Sequence, residues 1–156
     1  TQTSDGALLQ QWLEDEGVLD GFPMEKEHEV KDAVDYWMQF CALGSSITAL
    51  IEGKVCGVAN LYLRGVEKIS HHCLFVILVD KVYRGRGIGK ALIEQLEELA
   101  KTKFGIKKLF LEIYEGNRAI NLYRRLGFTE VGVQESFLID RQGKHFNKIV
   151  MEKSLK

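Results

Sequence analysis

Three alternating glycines join an apolar run to a helical repeat in Val79-Asp80-Lys81-Val82-Tyr83-Arg84-Gly85-Arg86-Gly87-Ile88-Gly89-Lys90, and no other stretch restricts the fold as much. Leu74 to Val79 has the length and composition of a strand buried on both faces. Beyond the glycines, Ile88, Leu92, Ile93, Leu96, Leu99 and Ala100 recur at spacings of three and four, as on an amphipathic helix. The first amides of such a helix have no backbone partner, and its dipole places partial positive charge on them. Glycine lets a phosphate come close, and Arg84, Arg86 and Lys90 add formal charge at the same point.

Spacing separates three anion-binding patterns. A P-loop needs Ser or Thr after Gly-Lys, but Ala91 follows Gly89-Lys90; the dinucleotide pattern G-x-G-x-x-G fails against G-x-G-x-G. Arg84 to Gly89 fits R-x-x-G-x-G. Downstream, Leu109 to Tyr114 reads as a strand, and Asn117-Arg118-Ala119-Ile120-Asn121-Leu122-Tyr123-Arg124-Arg125-Leu126-Gly127-Phe128 as a helix with Ala119, Ile120, Tyr123 and Leu126 on one side, closed by Gly127.

These two strings resemble the cofactor signatures of the GNAT superfamily, the acyl-CoA-dependent N-acyltransferases. The resemblance implies an α/β (α+β) fold: a mixed, mostly antiparallel twisted sheet with helices on both faces. It also implies acetyl-CoA as acyl donor, with Arg84, Gly85, Arg86, Gly87, Ile88, Gly89 and Lys90 around the pyrophosphate and the amides of Leu78 and Val79 pairing with the pantetheine arm. By position, Asn117 contacts the cofactor and Tyr123 lies beside its sulfur. Lys81 stands where the family often has proline, and the Asn117 to Tyr123 interval is one residue shorter than the commonest spacing. The family usually opens with a strand; here only Thr1 to Ser4 precede the first expected helix, so the first strand is short or missing.

The remaining segments fill in the order of elements. Leu8, Leu9, Trp12 and Leu13 mark a helix with Asp5 as its expected N-cap, and Val30, Val34, Trp37 and Cys41 a second that ends before Gly44. Ile47 to Glu52, Val55 to Leu63 and Ser70 to Val79 read as a meander turning at Gly53, and Phe128 to Asp140 with His145 to Glu152 as a hairpin turned at Gln142-Gly143. No linker, repeat or low-complexity tract divides the 156 residues, so a single domain over 1–156 is expected. A net charge of −1 argues against a nucleic-acid surface. No apolar stretch is long enough to span a bilayer and the polar start is no secretory signal, so a cytoplasmic location is expected. Cys41, Cys56 and Cys73 read as unpaired thiols, no residue set has metal-ligand spacing, and a homodimer is compatible with the composition.

Acyl transfer to an amine sets the chemistry. A primary amine with pKa about 10.4 must lose a proton before it attacks, and Glu112 is the leading candidate base, acting through water, because it shares a strand face with Phe110 and Tyr114. It also matches by position a glutamate that ribosomal-protein alanine acetyltransferases of this superfamily use as base; His71 and His72 are its rivals. Tyr123 serves the departing thiolate, with a proton transfer uphill by about 1.5 units from ordinary pKa values. The resemblance implies that the first two helices and their connection, Glu16 to Glu29, form much of the acceptor side; there Phe22, Pro23 and Met24, with Trp12 and Trp37 from the flanking helices, would supply an apolar wall and Asp20, Glu25, Glu27 and Glu29 would favour a cationic amine. A small amine, a polyamine and a protein N-terminus all remain open as acceptors. Two other readings also stay open: a non-catalytic acyl-CoA-binding sensor on the same fold, and a nucleotide-binding switch.

Overall fold

The computed structural model describes residues 1–156. Two helices, α1 (Asp5–Glu14) and α2 (Glu27–Gln39), precede strands β1 (Ser46–Ile51), β2 (Lys54–Tyr62) and β3 (His72–Val79). Then come α3 (Ile88–Phe104), β4 (Lys108–Tyr114), α4 (Ile120–Arg125), β5 (Thr129–Ile139) and β6 (His145–Ser154). The strands form one sheet in the order β1-β2-β3-β4-β6-β5, and β3 with β4 is its parallel pair. This is the expected mixed, mostly antiparallel architecture. No strand lies within Thr1 to Ser4. No helix is long and apolar enough to cross a membrane.

Alternating side chains divide the sheet between two cores. Cys73 and Phe75 of β3, with Leu109, Leu111 and Ile113 of β4, face α3 and α4 and pack with Ile93, Leu96, Tyr123 and Phe128. Val58 and Leu78 face the other way, against Leu9, Trp12, Leu13, Val30, Val34 and Trp37 of α1 and α2. The helices therefore lie on both faces. The expected N-cap shifts by one residue: Ser4 takes the cap position of α1, and Asp5 sits buried within the first turn. Its carboxylate accepts from the Gln2 amide and the Thr48 hydroxyl, both at 2.9 Å, so a tertiary contact to β1 claims the side chain that sequence alone assigns to capping.

Two details set how closely α3 approaches. Glu52 and Gly53, both at positive φ, form the two-residue turn that matches hairpin twist. A register shift then pairs Ala49 with Gly57 and Leu50 with Val55, leaving Cys56 as the extra residue of a bulge. A Cβ on Gly57 would stand 2.9 Å from Leu92 Cδ1 and 3.3 Å from the Leu78 carbonyl oxygen, so the absent side chain is what lets α3 lie flat on β2 and β3. Replacing Gly57 with Val is expected to destabilise the fold by roughly 1–3 kcal/mol through overpacking. Urea unfolding should show a lower midpoint with an unchanged slope.

Candidate active site

The functional cleft begins where two strands separate. β3 pairs with β4 at His72, Cys73 and Leu74; past Leu74, β3 stays with β2 as far as Val79 while β4 stays with β6 as far as Tyr114. Beneath the fork, the Phe75 ring meets Tyr123 and Phe128 at centroid distances of 6.2 and 5.5 Å, and Tyr123 meets Phe128 at 6.1 Å. Tyr123 is thereby wedged under the point of parting. A cleft of about 2150 Å³ opens through the fork, with β3 on one wall, Leu111 to Tyr114 on the other, and the starts of α3 and α4 at one end. Ordinary ligand pockets are about 300–1,000 Å³, so this cleft has room for an extended ligand and a second molecule.

At the α3 end, Asp80 shapes the turn out of β3: its carboxylate accepts from the Val82 amide at 3.1 Å and its carbonyl from the Tyr83 amide at 2.9 Å. Lys81, where the family often has proline, pairs with Asp15 at 3.1 Å and ties the junction to the end of α1. Gly85 and Gly87 then adopt φ of +75° and +81°, with Gly87 capping α3. The amides of Gly85, Arg86, Gly87, Ile88, Gly89 and Lys90 find no acceptor within the protein. A run of unpaired donors at a helix start is a preformed anion cradle. The third glycine has a further use: a Cβ on Gly89 would stand 3.3 Å from Leu122 Cδ2, so Gly89 also permits α4 to approach α3.

The structure sorts the remaining predicted residues. Leu78, Val79, Arg84, Ile88, Lys90, Asn117, Tyr123 and Glu112 line the cleft with the glycines, whereas Arg86 does not and instead lies over the ring of Tyr83, a lining residue, at 5.5 Å. Arg84 Nε donates to the Val79 carbonyl at 3.1 Å, so this side chain also pins the strand end. Asn117 accepts from the Ala119 amide at 3.0 Å, which commits its Oδ1 to starting α4 and leaves Nδ2 near Gly21. Glu112 Oε1 lies 3.2 Å from Lys148 Nζ. Of the rival bases, His72 is at the far end of β3, stacked on Phe110 and bonded to Glu152 at 3.0 Å, and His71 precedes the strand; neither lines the cleft.

The acceptor side is also selective about its residues. Phe22, Pro23, Met24 and Trp37 face the cleft, joined by Tyr36 and Tyr62, while Trp12 is consumed by the core between α1 and α2. Glu29 accepts from the Glu25 and Lys26 amides at 2.9 Å and so closes the start of α2. Glu25 bonds Arg141 of the β5–β6 turn at 2.8 Å. Glu27 lies outside the cleft, leaving Glu16 and Asp20 as the cleft acids of this segment with neither an ion pair nor a side-chain hydrogen bond. Arg118 and Arg125 also line the cleft, beyond the residues that the sequence motifs indicate. Arg118 lies in the turn before α4 and Arg125 at the end of the helix, so the signal that could find them is the pair of basic residues flanking the predicted helix beside Asn117 and Tyr123.

Burial alone pushes the Tyr123 phenol up to about 12. A thiol near 8.5 lies about 3.5 units lower, so full proton transfer from this phenol is uphill by roughly 5 kcal/mol, more than ordinary pKa values imply. The hydroxyl is therefore suited to donating a hydrogen bond to a thiolate.

Residues 8–128 match the family model described as Acetyltransferase (GNAT) family. The chain is 37% identical over 78 residues to the [Ribosomal protein bS18]-alanine N-acetyltransferase of Haemophilus influenzae, a match covering 50% of this chain and 53% of that protein. The chain thus spans about half the length of the curated relatives it matches. Over 99% of its own length and 97% of the other's, it superposes on the crystal structure of ribosomal-protein-alanine N-acetyltransferase from Brucella melitensis with a TM-score of 0.83 at 26% identity. A GNAT superfamily phosphinothricin acetyltransferase from Sinorhizobium meliloti, solved in complex with AcCoA, superposes with a TM-score of 0.80 at 24% identity over 99% and 85% of the two chains, a likeness of fold.

Two outcomes follow for the cradle and the phenol. No atom blocks a Cβ at Gly87, so Gly87→Ala should cost about 1–2 kcal/mol through left-handed backbone strain, read by urea unfolding. The native state keeps the Tyr123 proton above pH 10 while the unfolded chain releases it, so this residue contributes stability below about pH 10 that is lost as pH rises towards 12. Unfolding free energies measured from pH 9 to pH 11.5 should therefore fall less steeply in Tyr123→Phe than in the wild type.

Proposed function

The chain belongs to the GNAT acetyltransferase family, and from that premise we propose that it transfers the acetyl group of acetyl-CoA to a primary amine, the α-amino group of a protein N-terminus being the favoured acceptor. The observation that carries this reading is the run of unpaired amides from Gly85 to Lys90 at the mouth of a fork that has Tyr123 beneath it. These donors, with Arg84 and Lys90, suit a diphosphate; Arg118 and Arg125 add positive charge along the same wall. The free edge of β3 at Leu78 and Val79 offers backbone groups to an amide-bearing arm, and Asn117 retains its Nδ2 donors.

Acetyl-CoA supplies a thioester whose thiolate departs when the amine attacks. The Tyr123 hydroxyl donates a hydrogen bond to that developing thiolate and, staying protonated at neutral pH, is in the donating form whenever it is needed. Glu112 receives the amine's proton through water, since its carboxylate faces the cleft from β4. An α-amino group has pKa about 7.7–8.0, so roughly a tenth of it is already uncharged at pH 7, against well under a thousandth of a lysine-type amine. A water-linked carboxylate is adequate for the first and weak for the second. The Haemophilus influenzae relative is named for the alanine of a ribosomal protein, which supports a protein acceptor, and Glu16 and Asp20 would attract a cationic chain end.

The test is thiol release from acetyl-CoA with a peptide beginning in Ala, compared with the same peptide acetylated at its N-terminus and carrying an internal Lys. Turnover of the first alone is expected, and equal turnover of both would sink the N-terminal assignment. Calorimetric titration with acetyl-CoA that detects no binding would remove the transferase reading altogether. Binding without turnover on any amine would favour a sensor. Tyr123→Phe should lose about a hundred-fold to a thousand-fold in kcat while its calorimetric affinity for acetyl-CoA is unchanged.

A further inference from the structure

Lys148 is among the few buried charged residues, 7% exposed in the middle of β6. An ammonium removed from water is costly unless its charge is met. Glu112 meets it at 3.2 Å, and the Phe137 ring lies 3.9 Å from Nζ, centroid to nitrogen. Phe137 is in turn stacked on Tyr114, the residue directly opposite Lys148 across β4 and β6. Carboxylate and aromatic face together form a fitted seat for one cation.

The seat depends on an irregularity of β5. Register shifts between Gln134 and Leu138, and within that interval Ser136 takes φ +50°, a conformation uncommon outside glycine. The Asn147 side chain holds it there by accepting from the Ser136 amide at 2.9 Å. Bulges next to active sites re-aim side chains, and this one swings Phe137 over the lysine. Phe137 is itself 47% exposed, so core packing does not explain its position.

The Glu112 side chain is 39% exposed and lines the cleft, where a carboxylate without a fixed partner would explore several rotamers. We infer that Lys148, seated by the Phe137 bulge, is a positioning residue that pins one oxygen of Glu112 and so aims the other into the cleft as base. The inference rests on the reading of Glu112 as base, and its test keeps the two apart.

A double-mutant cycle decides it, with kcat measured by thiol release from acetyl-CoA and the peptide beginning in Ala, on wild type, Glu112→Gln, Lys148→Met and the double variant. Lys148→Met should lower kcat about 30- to 100-fold with KM for acetyl-CoA unchanged, and should lower it no further in the Glu112→Gln background. Lys148→Arg, which retains the charge, should recover most of the rate. The same loss in both backgrounds, or no loss where Glu112→Gln is impaired, overturns the positioning role while leaving the base in place. Normal turnover of Glu112→Gln removes the base itself and the inference with it. Should Lys148→Met fail to fold, Phe137→Leu replaces it: a smaller loss that vanishes in Glu112→Gln supports the inference, and one that persists there refutes it.

Discussion

Two neighbouring strands in this sheet cannot keep the same partner to their ends. β3 is held by β2 as far as Val79 and β4 by β6 as far as Tyr114, while the bonds between β3 and β4 end at Leu74. Backbone groups that leave one ladder need another partner or solvent, so a sheet rarely opens in its middle. Here each strand keeps its outer ladder, and the side of the fork nearest α4 is filled by Phe75, Tyr123 and Phe128. The other features of the cleft take their positions from this opening. The glycine junction lies just past the end of β3, Asn117 just past the end of β4, and Glu112 projects from the wall between them.

Charge is distributed unevenly around the fork. The α3 and α4 end carries unpaired amides and Arg84, Lys90, Arg118 and Arg125, whereas the segment between α1 and α2 brings Glu16 and Asp20. The two sets of charges belong to different segments of the lining, so the cleft offers positive and negative surface to different parts of whatever it holds. The two sides are tied together across the opening: Lys81 to Asp15 at the α3 junction, and Arg141 to Glu25 at the β5–β6 turn. These ties are exposed to differing degrees and individually weak, but each joins a loop bordering the cleft to the flank of a helix.

Several local irregularities lie around the same opening, besides those of the β1–β2 hairpin and the helix ends. Gly85 and Gly87 in the left-handed region, the Ser136 bulge and the chain reversal at Gly116 all border the cleft or its supporting residues. The regular elements follow their sequence patterns closely: α3 buries Ile88, Leu92, Ile93, Leu96 and Ala100, the spacing that its residues announce. Strain is tolerated where the surrounding packing determines the backbone more strongly than local preference does.

The order of elements, the anion cradle and the helix carrying Tyr123 were legible in the chain because each is written in local terms: glycine spacing, apolar period and turn residues within a dozen positions. Partnerships between distant residues were not. Asp5 has the chemistry of an N-cap, yet Thr48 claims it; Trp12 has that of a cleft wall, yet two helices enclose it; Glu29 is one more acid in a run until the Glu25 and Lys26 amides close on it. Lys148 gave no signal, since its seat joins β4, β5 and β6 through a bulge that no periodicity encodes. Sequence by itself thus determined which segments are helix or strand and where unpaired amides gather at a helix start, because those depend on covalent geometry and near neighbours. Which carboxylates are spent on structure and which remain free for chemistry was decided only by the tertiary fold, because an ion pair or cap forms with whatever the packing brings within about 3 Å.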